Sequence, residues 1–297
     1  MKTQNNLSKR GFSLIELSIV ILVIGILIIG ITKGTAIMAK TRIGAARSLT
    51  NGSPVPLISD LVVWYEPTLV GSFNASDQFD GTAFSATTNL WFDNSPNKSI
   101  NATGVTSGTV QYKESTINSL PGLRFDGTAN GNLAFNPISV NGKDYTIFIV
   151  EQRRAASSAT VGRFLDLGGN TFGYGTTDGQ LSMPPASGSY LASTGAFGQI
   201  TPRIITFLAS TTVMPSNTKG IFVNGGTGSV AANAAADTAP TVTSTGFIGK
   251  VGTSYYNGDI CEIIIYNRAL KYDERNDIIS YLGKKYGIKT TLTASNG

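Results

Sequence analysis

The side chains available to this chain narrow its chemistry sharply, because its 297 residues include no histidine. That removes Ser-His triads, histidine-ligated zinc and the commonest general base. The one cysteine, Cys261, has no partner for an intramolecular disulfide. It alternates with Ile260 and Glu262 in an apolar run, which reads as a small buried hydrophobe rather than a reactive thiol. Glycoside hydrolysis needs a pair of carboxylates flanking one bond. Asp259 and Glu262 are three residues apart on an expected strand, so they should point to opposite faces. Trp64, Tyr65 and Trp91 could stack on sugar rings, but Trp64 lies in a strand-like run and reads as core. The chain is therefore expected not to be an enzyme.

The elements that would position these residues are mostly strands. From about Leu57 to Thr293, glycine, serine, threonine and asparagine are abundant and helical periodicity is nearly absent. Short apolar runs recur at 61–65, 146–150, 163–167, 204–208, 221–223, 247–248 and 260–266. Turn signals separate them at Asn141-Gly142, Gly168-Gly169, Asn224-Gly225-Gly226 and Asn257-Gly258. Residues 231–239 read as a loop despite their alanines. This pattern predicts one large β-sandwich or barrel. After it, residues 272–286 place Ile278, Ile279, Leu282 and Tyr286 on one helical face, with Gly287 as a stop. Lys271 stands where a capping hydroxyl would be expected, so the start is either weakly capped or shifted to Asp273.

The N-terminus is different. Phe12 to Ile31 is twenty residues long and carries one charge, Glu16. As a helix it would span about 30 Å, the thickness of a bilayer's hydrocarbon core. Lys2, Lys9 and Arg10 precede it, which would hold that end in the cytoplasm. Residues 32–50 continue an amphipathic helical pattern that ends near Asn51-Gly52-Ser53-Pro54. Gly25, Gly30, Gly34 and Gly44 weaken that helix. They mark either close helix–helix approach or local unwinding.

Lys9-Arg10-Gly11-Phe12-Ser13-Leu14-Ile15-Glu16 resembles the prepilin signal of type IV pilins and of type II secretion pseudopilins. The resemblance implies cleavage between Gly11 and Phe12 by a prepilin peptidase and N-methylation at Phe12. It also gives Glu16 a role in assembly, pairing with the free amine of a neighbouring subunit's Phe12. The domain boundaries that follow are a leader at 1–11, a transmembrane and filament-core helix at 12–50, a sandwich at 51–293 and a tail at 294–297.

Within the large domain, Leu61–Tyr65, Trp91-Phe92-Asp93-Asn94-Ser95, Leu123-Arg124-Phe125-Asp126-Gly127, Phe222-Val223-Asn224-Gly225 and residues 258–270 together resemble the laminin G-like, concanavalin A-like family. The implied fold class is mainly β: a long pilin-type helix, then a concanavalin A-like jelly-roll sandwich with a short C-terminal helix. Such domains often hold Ca²⁺ at a loop rim, which makes Asp77, Asp80, Asp93 and Asp126 candidate ligands. Each sits in turn-like sequence, where Asp is common for local reasons. No other cofactor is expected. Some jelly-roll relatives are glucanases, with acids two residues apart on one strand face, a spacing that Asp259 and Glu262 do not have.

Charge limits the partners. The chain is +5 overall. The leader contributes three basic residues and residues 12–50 a further net +3. That leaves 16 basic and 17 acidic residues from 51 onward, so no nucleic-acid partner is expected for the outer domain. The expected partners are the peptidase and methyltransferase, an assembly platform, other pilins in a filament, the inner membrane before assembly, and a glycan or protein ligand. These features imply a structural subunit of a type IV pilus-like surface filament that displays an adhesive or spacer domain. The alternatives are a minor pseudopilin in a periplasmic pseudopilus and a membrane-tethered carbohydrate-active enzyme.

Overall fold

The first described element is a helix, Leu14–Asn51. The structure, a computed structural model, describes residues 13–105, 107–138, 144–154, 162–168, 170–175, 179–184, 191–198, 200–210, 218–226, 229–232 and 245–292. By its internal contacts the chain divides into two compact units, Met1–Gly44 and Ala45–Gly297. The helix backbone stays α-helical through Gly25, Gly30, Gly34 and Gly44, so no local unwinding occurs at these glycines. A Cβ at Gly25 or Gly44 would meet open space. That suits close approach by a neighbour rather than internal packing.

The second unit is a jelly-roll sandwich of two eight-stranded sheets with a separate two-strand pair. One sheet, the helix-side sheet, centres on strands Tyr145–Arg153 and Asn257–Tyr266. The other contains Arg163–Leu167, Asn170–Tyr174 and Leu133–Phe135. Between the sheets lies the main core, which includes Leu123, Phe125, Ile147, Ile149, Phe164, Phe172, Phe207 and Ile263. A second core forms on the other face of the helix-side sheet. There Trp64, Phe148, Val150, Ile204, Ile264 and Tyr266 pack with Ile278, Ile279, Leu282 and Tyr286 of the C-terminal helix, Tyr272–Tyr286. Being covered on both faces explains why Tyr145–Arg153 carries the unbroken apolar run Ile147-Phe148-Ile149-Val150: alternate residues serve different cores.

The seven apolar runs all fall in strands. The expected turn at Asn224-Gly225 is present, with positive φ at both residues (53° and 76°) and Gly226 N–H donating to the Val223 carbonyl. This is the backbone that a tight hairpin requires. Two expectations need correction. Asn257-Gly258 is not a turn: it opens the central strand and pairs with Asp126 and Phe125. Its glycine is a matter of space, since a Cβ there would stand 2.3 Å from the Tyr256 hydroxyl oxygen. Ala231 and Ala232 belong to strand Ser229–Ala232, paired with Thr218–Val223, rather than to a loop. Residues 233–239 lie outside the described residues, as do Asn141-Gly142 and Gly169. The C-terminal helix starts after Lys271, where Glu274 Oε2 accepts the Lys271 N–H at 2.8 Å. Gly287 ends it in the left-handed conformation, φ 63°.

A β-bulge shapes the central strand. Ile260 pairs with Glu151 and Glu262 with Val150, so Cys261 is an extra residue. Cys261 and Glu262 therefore share the helix-facing side. Asp259 is on that side too, because it bonds Arg124, whose neighbours Leu123 and Phe125 enter the inner core. The opposite-face expectation for Asp259 and Glu262 fails for this reason: a simple two-residue period does not survive a bulge.

The bulge delivers Glu262 to a buried polar cluster. Lys285 Nζ lies between Glu262 Oε2 (2.8 Å) and Glu66 Oε2 (2.6 Å), with all three side chains inaccessible to solvent. Trp64 Nε1, Tyr281 Oη and Tyr286 Oη also donate to Glu262, at 2.8, 2.9 and 2.8 Å. Thr68, Ser72 and the Leu69 N–H donate to Glu66. The last turn of the N-terminal helix joins this cluster. Thr50 Oγ1 is 3.3 Å from both Tyr281 Oη and Thr68 Oγ1, Arg47 Nε donates to the Thr68 carbonyl, and Ala46 is buried in the second core.

Burial alone would raise the Glu66 pKa, but Lys285 and the hydroxyl and N–H donors outweigh it and hold the carboxyl below its usual range. A depressed folded pKa adds stability at pH values above the unfolded value, roughly 4.3, and loses it as pH falls through the folded value. Chemical denaturation should show stability falling below about pH 4.5, with a flatter acid limb in Glu66→Gln. Lys285→Met leaves two buried carboxylates without their cation and should cost about 3–5 kcal/mol at pH 7. An unchanged urea midpoint in that variant would refute the role given to Lys285.

Candidate functional site

The processing positions Gly11 and Phe12 lie outside the described residues. The residues immediately after them are ordered as a helix start. Ser13 is the N-cap: its Oγ accepts the Ile15 N–H at 3.3 Å, and Glu16 Oε2 accepts the Ser13 N–H at 2.9 Å. The Ser13 hydroxyl caps the N2 N–H and Glu16 at N3 reaches back to the N-cap N–H, a variant of the capping box. The prepilin resemblance gives Glu16 a partner in a neighbouring subunit, and its own sequence position also allows a hydrated acid near the membrane interface. The Ser-x-x-Glu spacing of Ser13 and Glu16 was the signal for its capping role.

Beyond the cap, twelve large apolar side chains between Leu14 and Ile28 are exposed on the helix. Covering each is worth roughly 1.5–3 kcal/mol, so this surface strongly favours an apolar environment. Among the described residues, no helix is long and apolar enough to cross a membrane.

The four candidate Ca²⁺ ligands do not converge. Among the described residues, no group of three acidic, cysteine or histidine side chains could hold a metal ion. Each aspartate instead serves its own loop. Asp93 is buried and accepts the N–H groups of Trp64 (3.0 Å) and Ser95 (2.8 Å) and the Ser95 hydroxyl (2.8 Å). Asp77 accepts the side-chain amides of Asn74 and Asn89. Asp80 accepts the Glu114 N–H and pairs with Lys113 at 3.5 Å. Asp126 accepts the Thr128 N–H and hydroxyl. The oxygens a hard cation would need are largely engaged in turn geometry, so the residues present do not fit a shared Ca²⁺ site.

A different cluster has the composition of catalytic equipment. Glu151 accepts hydrogen bonds from Tyr174 (2.7 Å), Arg203 (2.9 Å) and Tyr256. Arg153 lies over the Tyr174 ring, 4.8 Å from its centre. Burial, followed by the Glu151 charge, pushes both tyrosine hydroxyls well above their ordinary range, so neither is a nucleophile. Glu151, Tyr174 and Tyr256 are fully buried between the sheets. Substrate has no approach, and the cluster acts as a polar plug of the core. Trp64 and Trp91 are also buried and unavailable for stacking on a sugar. Trp64 donates to Glu262 and Trp91 to the Glu66 carbonyl.

Cys261 is fully buried, 3.1 Å from Thr116 Oγ1, and burial pushes its thiol up to about 12. The thiolate fraction at neutral pH is negligible, which makes the side chain inert. In native protein the thiol should react with a disulfide reagent only at the rate of unfolding, and at once in denaturant. Full labelling of folded protein within seconds would contradict this placement.

Residues 6–32 match the family described as the prokaryotic N-terminal methylation motif. No curated protein matches the chain. Among solved structures, domain 4 of an extracellular arabinanase (AbnA) from Geobacillus stearothermophilus, in complex with arabinotriose, is similar. It shares 14% identity at a TM-score of 0.50, over 76% of this chain and 98% of that one. The binding domain of botulinum neurotoxin DC in complex with SialylT also has a TM-score of 0.50, at 12% identity, over 75% of this chain and 52% of that one. A sialidase from Trypanosoma rangeli gives 0.47 at 17% identity, over 80% of this chain and 34% of that one. At these identities the likeness to the first two concerns the fold alone, a two-sheet β-sandwich.

Proposed function

We propose that this chain, which joins a prepilin-type methylation motif to a lectin-like sandwich, is a structural subunit of a type IV pilus-like filament that displays the sandwich outward as an adhesive module. The observation that carries the proposal is the motif at residues 6–32 at the head of a helix whose apolar side chains are exposed. The helix resides in the inner membrane until a prepilin peptidase cuts between Gly11 and Phe12. Methylation of the new Phe12 terminus follows. The apolar surface then passes from lipid to a bundle of like helices, so little apolar area meets water at any stage. Glu16 exchanges its capping contact with Ser13 for the amine of a neighbouring Phe12, which fixes the axial register. The mechanism is assembly, with no catalytic step. That the enclosed Glu151–Tyr174–Tyr256 group is inaccessible supports a binding module rather than a hydrolase. The arabinotriose and SialylT complexes of the two fold relatives are consistent with a glycan ligand.

Mass spectrometry of the N-terminal peptide, on native cells separated into sheared surface material and membranes, tests the reading. A methylated Phe12 terminus in the sheared fraction is expected. The same terminus confined to membranes would favour a pseudopilin, and an intact Met1 leader in every fraction would defeat the proposal. Glu16→Ala should still insert into the membrane but lose most of its sheared filament. Normal filament yield would remove Glu16 from the assembly step.

A further inference from the structure

An open cleft of about 530 Å³ lies on the helix-side sheet at the Asn257 end of the central strand. Its volume falls within the roughly 300–1,000 Å³ range of small-molecule sites. Thr109, Gln111, Arg124, Asp126, Arg154 and Asn257 line it. Strand register brings them together. Gln111 is opposite Arg124, Arg124 opposite Asp259, and Asp126 opposite Asn257.

One wall is built of donors. Asp259, only 3% exposed, grips Arg124 through Nε (2.7 Å) and Nη2 (3.0 Å), fixing the guanidinium plane. Nη1 of Arg124 meets no acceptor among the described residues. The Arg154 side chain is 44% exposed and comes no closer to Asp259 than 3.8 Å, too long for a hydrogen bond. The opposite corner is an acceptor. Asp126 uses Oδ1 for Thr128, leaving Oδ2 open, and forms no ion pair among the described residues. The amides of Gln111 and Asn257 add both donors and acceptors between the two.

The four charges cancel: Arg124 and Arg154 against Asp259 and Asp126. An anionic ligand would gain the guanidiniums but face Asp126, and an amine would gain Asp126 but face the guanidiniums. The group that satisfies both walls is one that donates and accepts at neighbouring positions, a set of adjacent hydroxyls. The geometry points to a binding subsite for a neutral sugar residue, with Arg154 and Nη1 of Arg124 donating to ring hydroxyls and Asp126 Oδ2 accepting from another. This rests on reading the sandwich as the adhesive module and names the ligand class that the module would take.

The test uses full-length protein in detergent on an array of neutral pentose and hexose oligosaccharides, arabinotriose included, with uronate and amino-sugar counterparts. Arg154→Gln and Asp126→Asn are compared with the natural chain, and thermal unfolding is followed in parallel. Both positions are at the surface, so unfolding temperatures should match. The natural chain should bind neutral glycans in preference to charged ones, and each variant should bind about tenfold or more weakly, a loss of about 1.4 kcal/mol. Full binding by both variants would overturn the subsite but leave the adhesive reading intact. Preference for uronates or amino sugars would overturn the neutral-sugar assignment. No glycan binding by the natural chain would overturn both the subsite and the adhesive reading, leaving filament assembly to the N-terminal peptide measurement.

Discussion

A single buried ammonium ties the second unit together. Lys285 sits between Glu66 and Glu262 with no access to water, and its charge offsets the cost of placing two carboxylates in the interior. Each partner comes from a different part of the chain. Glu66 directly follows the first strand, Leu61–Tyr65, Glu262 belongs to the central strand, and Lys285 lies in the last turn of the C-terminal helix. Buried charges are a poor source of net stability, but an exacting source of register: displacing any one element leaves an unpaired charge. The cluster therefore explains how a C-terminal helix with no hydroxyl at its N-cap is nonetheless held in one position on the sheet.

The same cluster reaches the last turn of the N-terminal helix. Ala46 is buried in the second core, Arg47 is bonded to the Thr68 carbonyl, and Thr50 is beside Tyr281. From Ala45 onward the helix belongs to the sandwich unit. The helix end is therefore part of the second core of the sandwich unit. The first unit has the opposite character: its large apolar side chains between Leu14 and Ile28 are exposed.

Much of this was legible locally. The seven apolar runs became strands, the bounds of the C-terminal helix followed from four apolar residues at helical spacing, and Asn224-Gly225 specified its turn. These signals are short-range, so no tertiary partner is needed to read them. The short strands Ala102–Gly104, Gln111–Lys113 and Gln180–Met183 carry little apolar signal and exist because a neighbour pairs with them. Asn257-Gly258 looked like a turn because its composition is that of a turn. Its glycine answers instead to the crowding of Tyr256, a contact that sequence spacing does not reveal.

The sequence by itself determined the segment that could be processed, the long helix behind it, the mainly β class of the outer domain and the absence of histidine chemistry. Each depends on residue identity or on periodicity over a few residues. Tertiary structure alone decided which charges would be buried together, and on which face. One extra residue at Cys261 turned Glu262 toward Lys285 and left Asp259 on the same side, gripping Arg124. Whether a carboxylate becomes a structural anchor, a loop clamp or part of an open cleft depends on the partners that long-range pairing brings within hydrogen-bond distance. Those partners are separated from it by tens to hundreds of residues, so nothing in its own neighbourhood can encode the outcome.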